Sequence, residues 1–90
     1  MRKELGIHVV VLQRGWVVIG ELSSIGNQYE LRKAAVIRSW GTTKGLGELV
    51  KSGPLQNTKL DPTNGIVRFH KLTVVMRIKC SGEVWSKHLS

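Results

Sequence analysis

Short β-branched runs, each followed closely by a glycine, constrain the fold of this chain more than any other feature. Ile7 to Leu12 is almost continuously apolar, and Val17 to Ile19 repeats the pattern after the turn residues Gln13-Arg14-Gly15. Runs of this length and composition favour strands, and the first is typical of a strand buried on both faces. Neither run is long enough to cross a bilayer, and no signal peptide is recognisable. We therefore expect a soluble protein built mainly from short strands.

Further strands and turns follow along the chain. Gly20 interrupts the second strand and predicts a strong bend there. The phase of alternation slips near His70-Lys71, which predicts a bulge or a strand break at that point. The remaining β segments and turns are predicted as a turn at Ser23 to Gln28, a third strand that begins at Tyr29 and Leu31, a fourth segment from Ala34 to Trp40, a β region from Ile66 to Lys79, and a turn at Ser81-Gly82.

One segment has the spacing of a helix. Leu46, Leu49 and Val50 recur at i, i+3 and i+4, and Gly53-Pro54 is a stop signal. This predicts a helix of about two turns over residues 46–52. Leu55 to Gly65 is predicted to be a long polar loop. Trp85 is expected to anchor the C-terminal segment.

These elements predict a mainly β fold, namely a small, strongly bent Sm/SH3-like barrel of about five strands with one short α-helix. Ninety residues have room for one hydrophobic core, so we expect a single domain over residues 1–90. The open edges of such a barrel pair readily with another copy, which predicts a ring-like homo-oligomer.

The charge balance and the cysteine content narrow the class of partner. The formal net charge is +8 and is dispersed along the chain, which favours anionic partners such as nucleic acid, nucleotides or phosphates. The alternative is that this charge serves solubility alone. Cys80 is the only cysteine, so no intrachain disulfide forms, and we expect an ordinary, partly buried residue. These features predict a reducing cytoplasm, either bacterial or that of an infected cell.

The run from Trp40 to Gly47 is the strongest candidate for a ligand site. Its glycines allow close approach of the backbone, and the start of the predicted helix offers N–H donors and a positive dipole end. Threonine hydroxyls and Lys44 add donors, and Trp40 can stack on a base. The other interpretation is a structural connection with Trp40 in the core. The predicted ligand-binding residues are Arg38, Trp40, Gly41, Thr42, Thr43, Lys44, Gly45, Gly47 and Arg68.

Familiar chemistries do not fit the chain. The lysine precedes the glycine at Lys44-Gly45, which excludes a Walker A loop, and the residues after Gly47 exclude a dinucleotide fingerprint. The three histidines lack metal-ligand spacing, and no two of the six acids form a recognisable acid–base pair. We therefore expect no catalysis, no metal and no cofactor. The other strand arginines and lysines are each expected to be solvated side chains, whereas Arg38 and Arg68 flank loops.

Two resemblances add to these observations. Leu12 to Leu22, followed by Ile25-Gly26 and Leu31, resembles the first Sm motif, and Ile78 to Gly82 resembles the second loosely. Gly26 and Glu30 stand where that family has its RNA-binding aspartate and asparagine. The Sm resemblance therefore implies the barrel fold but not the family's RNA-binding pocket.

A second resemblance covers more than half of the chain. The run Trp-Gly-Thr-Thr-Lys-Gly-Leu-Gly at residues 40–47 is similar to a motif of short, largely uncharacterised proteins encoded by bacteriophages. The likeness extends over Ile37 to Leu49, Gly53-Pro54, Leu60 to Pro62 and Gly65 to Arg68. It implies a phage or prophage origin and little about activity.

The function hypothesis combines these points. It is a non-catalytic phage accessory protein in the cytoplasm of an infected bacterial host, which binds an anionic nucleotide-type ligand. One version is sequestration of a host nucleotide signal used in antiviral defence. The alternatives are an Sm-like nucleic-acid-binding module and a structural or protein-interaction ring without a small ligand. No membrane partner is expected.

Overall fold

The computed structural model describes residues 2–39, 46–54 and 58–89, although not the side chains of Leu46, Glu48 and Ser52. Two helices and six strands make up the regular structure of these residues: β1 Arg2–Leu12, β2 Val17–Ile25, β3 Gln28–Ser39, α1 Leu46–Ser52, β4 Lys59–Pro62, β5 Val67–His70, β6 Val74–Lys79 and α2 Gly82–Trp85. Short 3-10 turns at Gln13–Gly15, Lys71–Thr73 and Ser86–His88 complete it. None of these helices is long and apolar enough to span a membrane.

The six strands form one antiparallel sheet that does not close on itself. Along the main path the strand order is β4-β3-β2-β1-β6, and β5 also pairs with β3. The long strand β3 serves both partners, because residues 28–31 pair with β5 and residues 35–39 pair with β4. β1 is an inner strand, with β2 on one side and the edge strand β6 on the other.

A bulge in β3 bends the sheet opposite Gly20. Glu21 pairs with Arg32 and Ile19 pairs with Ala35, so β3 carries one residue more than β2 over this stretch. Lys33, within the bulge, has a positive φ of 51°. A Cβ on Gly20 would lie 2.9 Å from the Arg32 carbonyl oxygen, a backbone atom, so the glycine permits this close approach.

Alternation along the strands divides the apolar residues between two clusters, one on each face of the sheet. Val9 and Ile19 belong to the first cluster, which α1 and α2 cover through Leu49, Val50 and Trp85. The second cluster lies on the opposite face and contains Val10, Val18, Leu22, Leu31 and Ala34, with Tyr29, Val67, Phe69 and Val74 packed against it. Of the strand predicted to be buried on both faces, Ile7 to Leu12, the first four residues are buried, and Val11 and Leu12 are partly buried.

Strong curvature brings distant strands together on the second face of the sheet. Tyr29 on β3 and Arg77 on β6 are separated by two strands, which in a flat sheet would hold them roughly 14 Å apart. The Arg77 guanidinium carbon nevertheless lies 5.7 Å from the centre of the Tyr29 ring. The expected mainly β, strongly bent small fold is therefore confirmed, as an unclosed sheet of six strands.

The short helices attach the C-terminal segment to the sheet. The predicted helix over residues 46–52 is confirmed as α1, and Gly53, with a φ of 83°, ends it by donating from its N–H to the Leu49 carbonyl at 3.0 Å. That carbonyl also accepts a 3.0 Å bond from Trp85 Nε1. Trp85 is fully buried, which confirms it as the anchor of this segment.

Other boundaries differ from those predicted from the sequence. Ser23 to Ile25 are strand, and only Gly26-Asn27 form the turn. The third and fourth β segments are one strand, β3, because the bulge at Lys33 shifts its alternation without ending it. The predicted polar loop contains β4, and Ser81 caps α2 instead of forming a simple turn. The expected break near His70 is present as the 3-10 turn Lys71–Thr73.

Candidate functional site

A row of polar residues crosses four strands on the same face as the helix-covered cluster. Glu4 pairs with Ser23, Ser23 with Glu30, and Glu30 with Arg68. Directly opposed residues in antiparallel strands project from the same face, so these four side chains lie side by side. The helices cover only the apolar part of this face, and the polar row lies beyond them.

The centre of this row is a buried carboxylate held by arginines. Glu30 is 2% exposed, and its two oxygens accept 3.0 Å hydrogen bonds from Arg32 Nε and Arg68 Nε respectively. Arg2 Nη2 also contacts Glu30 Oε1. We call Arg2, Glu30, Arg32 and Arg68 the arginine–glutamate cluster. Positive charge is in excess within it, because three guanidinium groups surround one carboxylate.

Arg32 and Arg68 each have N–H donors that Glu30 does not use. The Arg32 and Arg68 side chains are 48% and 66% exposed, and the described part of the chain offers neither guanidinium any acceptor besides Glu30. Each guanidinium has five N–H donors in a planar fork, and the Nε bond uses one of them. The remaining edge of each fork matches the spacing of phosphate or carboxylate oxygens.

Two clefts adjoin this cluster. One, of about 250 Å³, is lined by Ile25, Gln28, Tyr29, Glu30 and Arg68. The other, of about 290 Å³, lies on the far side of Arg32 and reaches α2. The cluster therefore borders two concave surfaces of the molecule.

A second group of basic side chains lies on the face of the sheet opposite the helices. Lys71 Nζ lies 5.1 Å from the centre of the Tyr29 ring, on which Arg77 also packs, and Phe69 contacts the same ring at 5.9 Å. Cations on a tyrosine face are attracted to its π electrons. We call Tyr29, Phe69, Lys71 and Arg77 the basic–aromatic corner.

His8 supports this corner from within the sheet. Its Nε2 lies 2.9 Å from Arg77 Nη1, and its Nδ1 lies 3.2 Å from the Gly6 carbonyl oxygen. Arginine can only donate, so Nε2 accepts and Nδ1 carries the proton, which makes the imidazole neutral. Burial lowers the pKa of His8 below its usual 6.5, the Gly6 carbonyl opposes this, and the charges of Arg77 and Lys79 lower the pKa further.

Cys80 was expected to be partly buried, and the structure shows a buried free thiol. Burial raises its pKa to about 11, and a hydrogen bond with the Val9 backbone opposes the shift. Since the thiolate is the reactive form, Cys80 is held in its unreactive state at neutral pH.

The residues predicted to bind a ligand fall in different parts of the molecule. Arg38 is exposed near the end of β3 and pairs with Asp61 at 3.2 Å, whereas Arg68 pairs with Glu30 near its start. Arg38 follows Glu30 by eight positions in β3, which is about 26 Å along a strand. Gly47 is exposed in α1. The other predicted residues, Trp40 to Gly45, lie outside the described residues.

Sequence reasoning did not find the arginine–glutamate cluster. No role was predicted for Arg2, and Arg32 was expected to be a solvated charge. The available signal was local, because Glu30 and Arg32 share one strand face and alternate with the inward Tyr29 and Leu31. Arg2 and Arg68 come to Glu30 only through pairing between strands, which no local pattern shows.

The described side chains hold no group of three or more His, Cys, Asp or Glu residues that could bind a metal ion. In comparisons with known proteins, no family model and no curated protein matches the chain.

Proposed function

We propose that this chain is a non-catalytic binding protein for an anionic, nucleotide-type ligand, and that the arginine–glutamate cluster holds its phosphate. The observation that carries the proposal is the geometry at Glu30. A single buried carboxylate aligns Arg32 and Arg68 through their Nε atoms and leaves their outer edges exposed beside a cleft. Pre-aligned guanidinium groups bind phosphate with little further loss of side-chain entropy.

The resemblance to phage-encoded proteins supports a more specific version of this proposal. The protein would act in the cytoplasm of an infected bacterial host as an accessory factor. Its ligand would be a host nucleotide signal used in antiviral defence, which the protein would sequester. Such a role requires tight binding only, and the net charge of +8 favours capture of an anion.

Isothermal titration against a panel of cyclic nucleotides and ADP-ribose derivatives tests the proposal. Arg68→Gln should weaken binding by about tenfold or more, since a charge-assisted hydrogen bond is lost. Arg14→Gln is the matched control. Arg14 lies in the exposed turn between β1 and β2, and its substitution removes the same charge. Absence of heat with every ligand, or equal weakening by both variants, would contradict the proposal.

Lys44→Ala, in the same titrations, tests the predicted Trp40–Gly47 loop as part of the site. It should abolish small-ligand binding if the loop contributes, while leaving assembly unchanged. Loss of binding in Lys44→Ala with full binding in Arg68→Gln would assign the ligand to the loop and not to the cluster.

The basic–aromatic corner favours nucleic-acid binding as a second candidate function. A tyrosine with two cations on its ring resembles the stacking and phosphate contacts used for single strands. Fluorescence anisotropy with a labelled single strand should then show affinity that falls steeply with salt. Tyr29→Leu should weaken it, and no shift at low salt would exclude this candidate.

A further inference from the structure

The cleft on the far side of Arg32 contains groups that the proposed phosphate site does not use. Its lining includes Glu4, Glu21, Ser23 and Arg32, together with Gly6 and Ser86. Its volume of about 290 Å³ lies at the lower end of ligand pockets, which span about 300–1,000 Å³. The cleft therefore suits one ring of a ligand and not a whole dinucleotide.

Ser23 marks this cleft as a polar site. It is 5% exposed, and no hydrogen-bond partner for its hydroxyl is found among the residues that the structure describes. No buried side-chain oxygen or nitrogen of the described residues lacks a partner, so the Ser23 hydroxyl is open to the cleft, where it can bond to water or to a ligand. Ser23 pairs with Glu4 across β1 and β2, and both residues line the cleft, so a group that enters it meets the Ser23 hydroxyl beside the Glu4 carboxylate.

The charges in the cleft select a neutral hydrogen-bond donor. Glu4 and Glu21 present carboxylates, which accept hydrogen bonds from hydroxyls more strongly than neutral acceptors do. Glu21 has only a loose ion pair with Lys33 at 3.9 Å, and both side chains are about half exposed. A cation is disfavoured, because Arg32 lines the same cleft and the rest of the arginine–glutamate cluster adjoins it.

Arg32 links this cleft to the phosphate site. It pairs in register with Glu21 on one side and donates to Glu30 on the other. A ligand that places a phosphate on Arg32 and Arg68 can therefore extend its next group toward Glu21, Glu4 and Ser23. In a nucleotide, the group attached to the phosphate is the sugar.

We propose that this cleft is a ribose subsite, in which Glu21, Glu4 and Ser23 bind the sugar hydroxyls of a ligand whose phosphate lies on the arginine–glutamate cluster. The inference rests on the proposed function and adds selectivity to it. Hydroxyl and carboxylate groups that bond to both sugar hydroxyls contribute less to the binding of an analogue that lacks one of them. The chain should therefore prefer ribonucleotides to 2′-deoxyribonucleotides.

Titrations followed by amide NMR, with AMP, dAMP and inorganic phosphate as probes, test this proposal. AMP should bind at least about tenfold more tightly than dAMP. Glu21→Gln and Ser23→Ala should reduce that ratio toward one, with phosphate affinity retained. Glu83→Gln on α2 is the control, because Glu83 is exposed and lines neither cleft, and it should keep the ratio.

The outcomes separate the two proposals. Equal affinity for AMP and dAMP, with phosphate still bound at Arg32 and Arg68, overturns the ribose subsite and leaves the phosphate site standing. An unchanged preference in both Glu21→Gln and Ser23→Ala also overturns it. No binding of any of the three probes overturns both proposals.

Discussion

Glu30 determines how the three arginines of the cluster are arranged. Glu30→Gln removes the negative charge that offsets them and leaves like charges close together. Because Arg32 and Arg68 are about half exposed, solvent screens part of this repulsion, and we expect a loss of about 1–3 kcal/mol in the free energy of unfolding. Denaturant titration measures it.

Phosphate affinity provides the second readout for the same variant. Without its internal counter-charge the cluster should bind inorganic phosphate more tightly than the wild-type protein does. Glu83→Gln removes an exposed charge that forms no ion pair with the arginines of the cluster, so it should alter neither quantity. Weaker phosphate binding by Glu30→Gln would mean that the alignment of the arginines matters more than their charge.

His8 makes stability depend on pH in a direction that follows from its contacts. Its pKa is lowered in the folded protein, so the unfolded chain binds the proton more readily. The contribution of neutral His8 to stability is fully present above the unfolded value of 6.5 and is lost as pH falls from 6.5 through the folded pKa. Denaturant midpoints from pH 8 to pH 5 measure the decline.

His8→Gln should make that decline shallower, because glutamine can keep both hydrogen bonds without titrating. His88→Gln is the control, since His88 is exposed near the C-terminus and should leave the decline in place. An identical pH profile for wild type and His8→Gln would assign the decline to other groups.

At the scale of the element, Gly20 determines how closely β2 and β3 approach. A side chain on Gly20 would meet backbone atoms at 2.9 and 3.1 Å. Gly20→Ala must therefore push the strands apart, and we expect the free energy of unfolding to fall by about 1–3 kcal/mol. Gly47→Ala is the matched control, because the added Cβ meets nothing within 4 Å and helix α1 should gain about 0.5–1 kcal/mol. Thermal unfolding of both variants measures the difference, and equal melting temperatures would contradict it.

Trp85 connects the two helices through one carbonyl. Trp85→Phe keeps most of the buried ring and removes the bond to the Leu49 carbonyl, which still accepts from Gly53. We expect the free energy of unfolding to fall by about 1–2 kcal/mol. Amide hydrogen exchange should become faster than in the wild-type protein, and the increase should be larger in α1 than in β1. Uniformly faster exchange in both elements would indicate global destabilisation instead of local release of the helix.

The sequence predicted elements wherever one local signal determined them. Ile7 to Leu12 of β1 is an almost continuous apolar run, α1 has the i, i+3 and i+4 spacing of a helix, and Gly53 supplies a clear end to α1. β3 was divided in the prediction because the extra residue at Lys33 reverses the parity that identifies a strand face. β4 was missed because four residues that include a proline carry no alternation, and pairing with β3 alone makes them a strand.

At the scale of the whole molecule, the candidate site was harder to predict than the fold. Mainly β structure follows from composition and turn spacing, because each segment of the chain contributes its own local signal. The arginine–glutamate cluster instead depends on register across β1, β2, β3 and β5, and a shift of one residue in any pair would turn its side chains to the other face.

The outer edge of β6 is the place at which the predicted homo-oligomer can be tested. In the part of the chain that the structure describes, β6 pairs only with β1, and Val75 on it is 62% exposed. An unpaired edge with apolar side chains favours pairing with another copy. Val75→Lys should therefore lower the mass seen by sedimentation velocity, whereas Ile66→Lys, at another exposed apolar position, should not. A wild-type protein that is monomeric at every concentration would exclude this assembly.

The order in which the strands pair has a consequence for folding. β1, β2 and β3 follow one another through turns of a few residues, so their contacts close early and at little entropic cost. β6 must return from the far end of the chain to reach β1, which makes its docking a late event. Glu4, Ser23 and Glu30 belong to the early meander, and β5 needs only to add Arg68. The polar row can thus assemble before the helices cover the other half of its face.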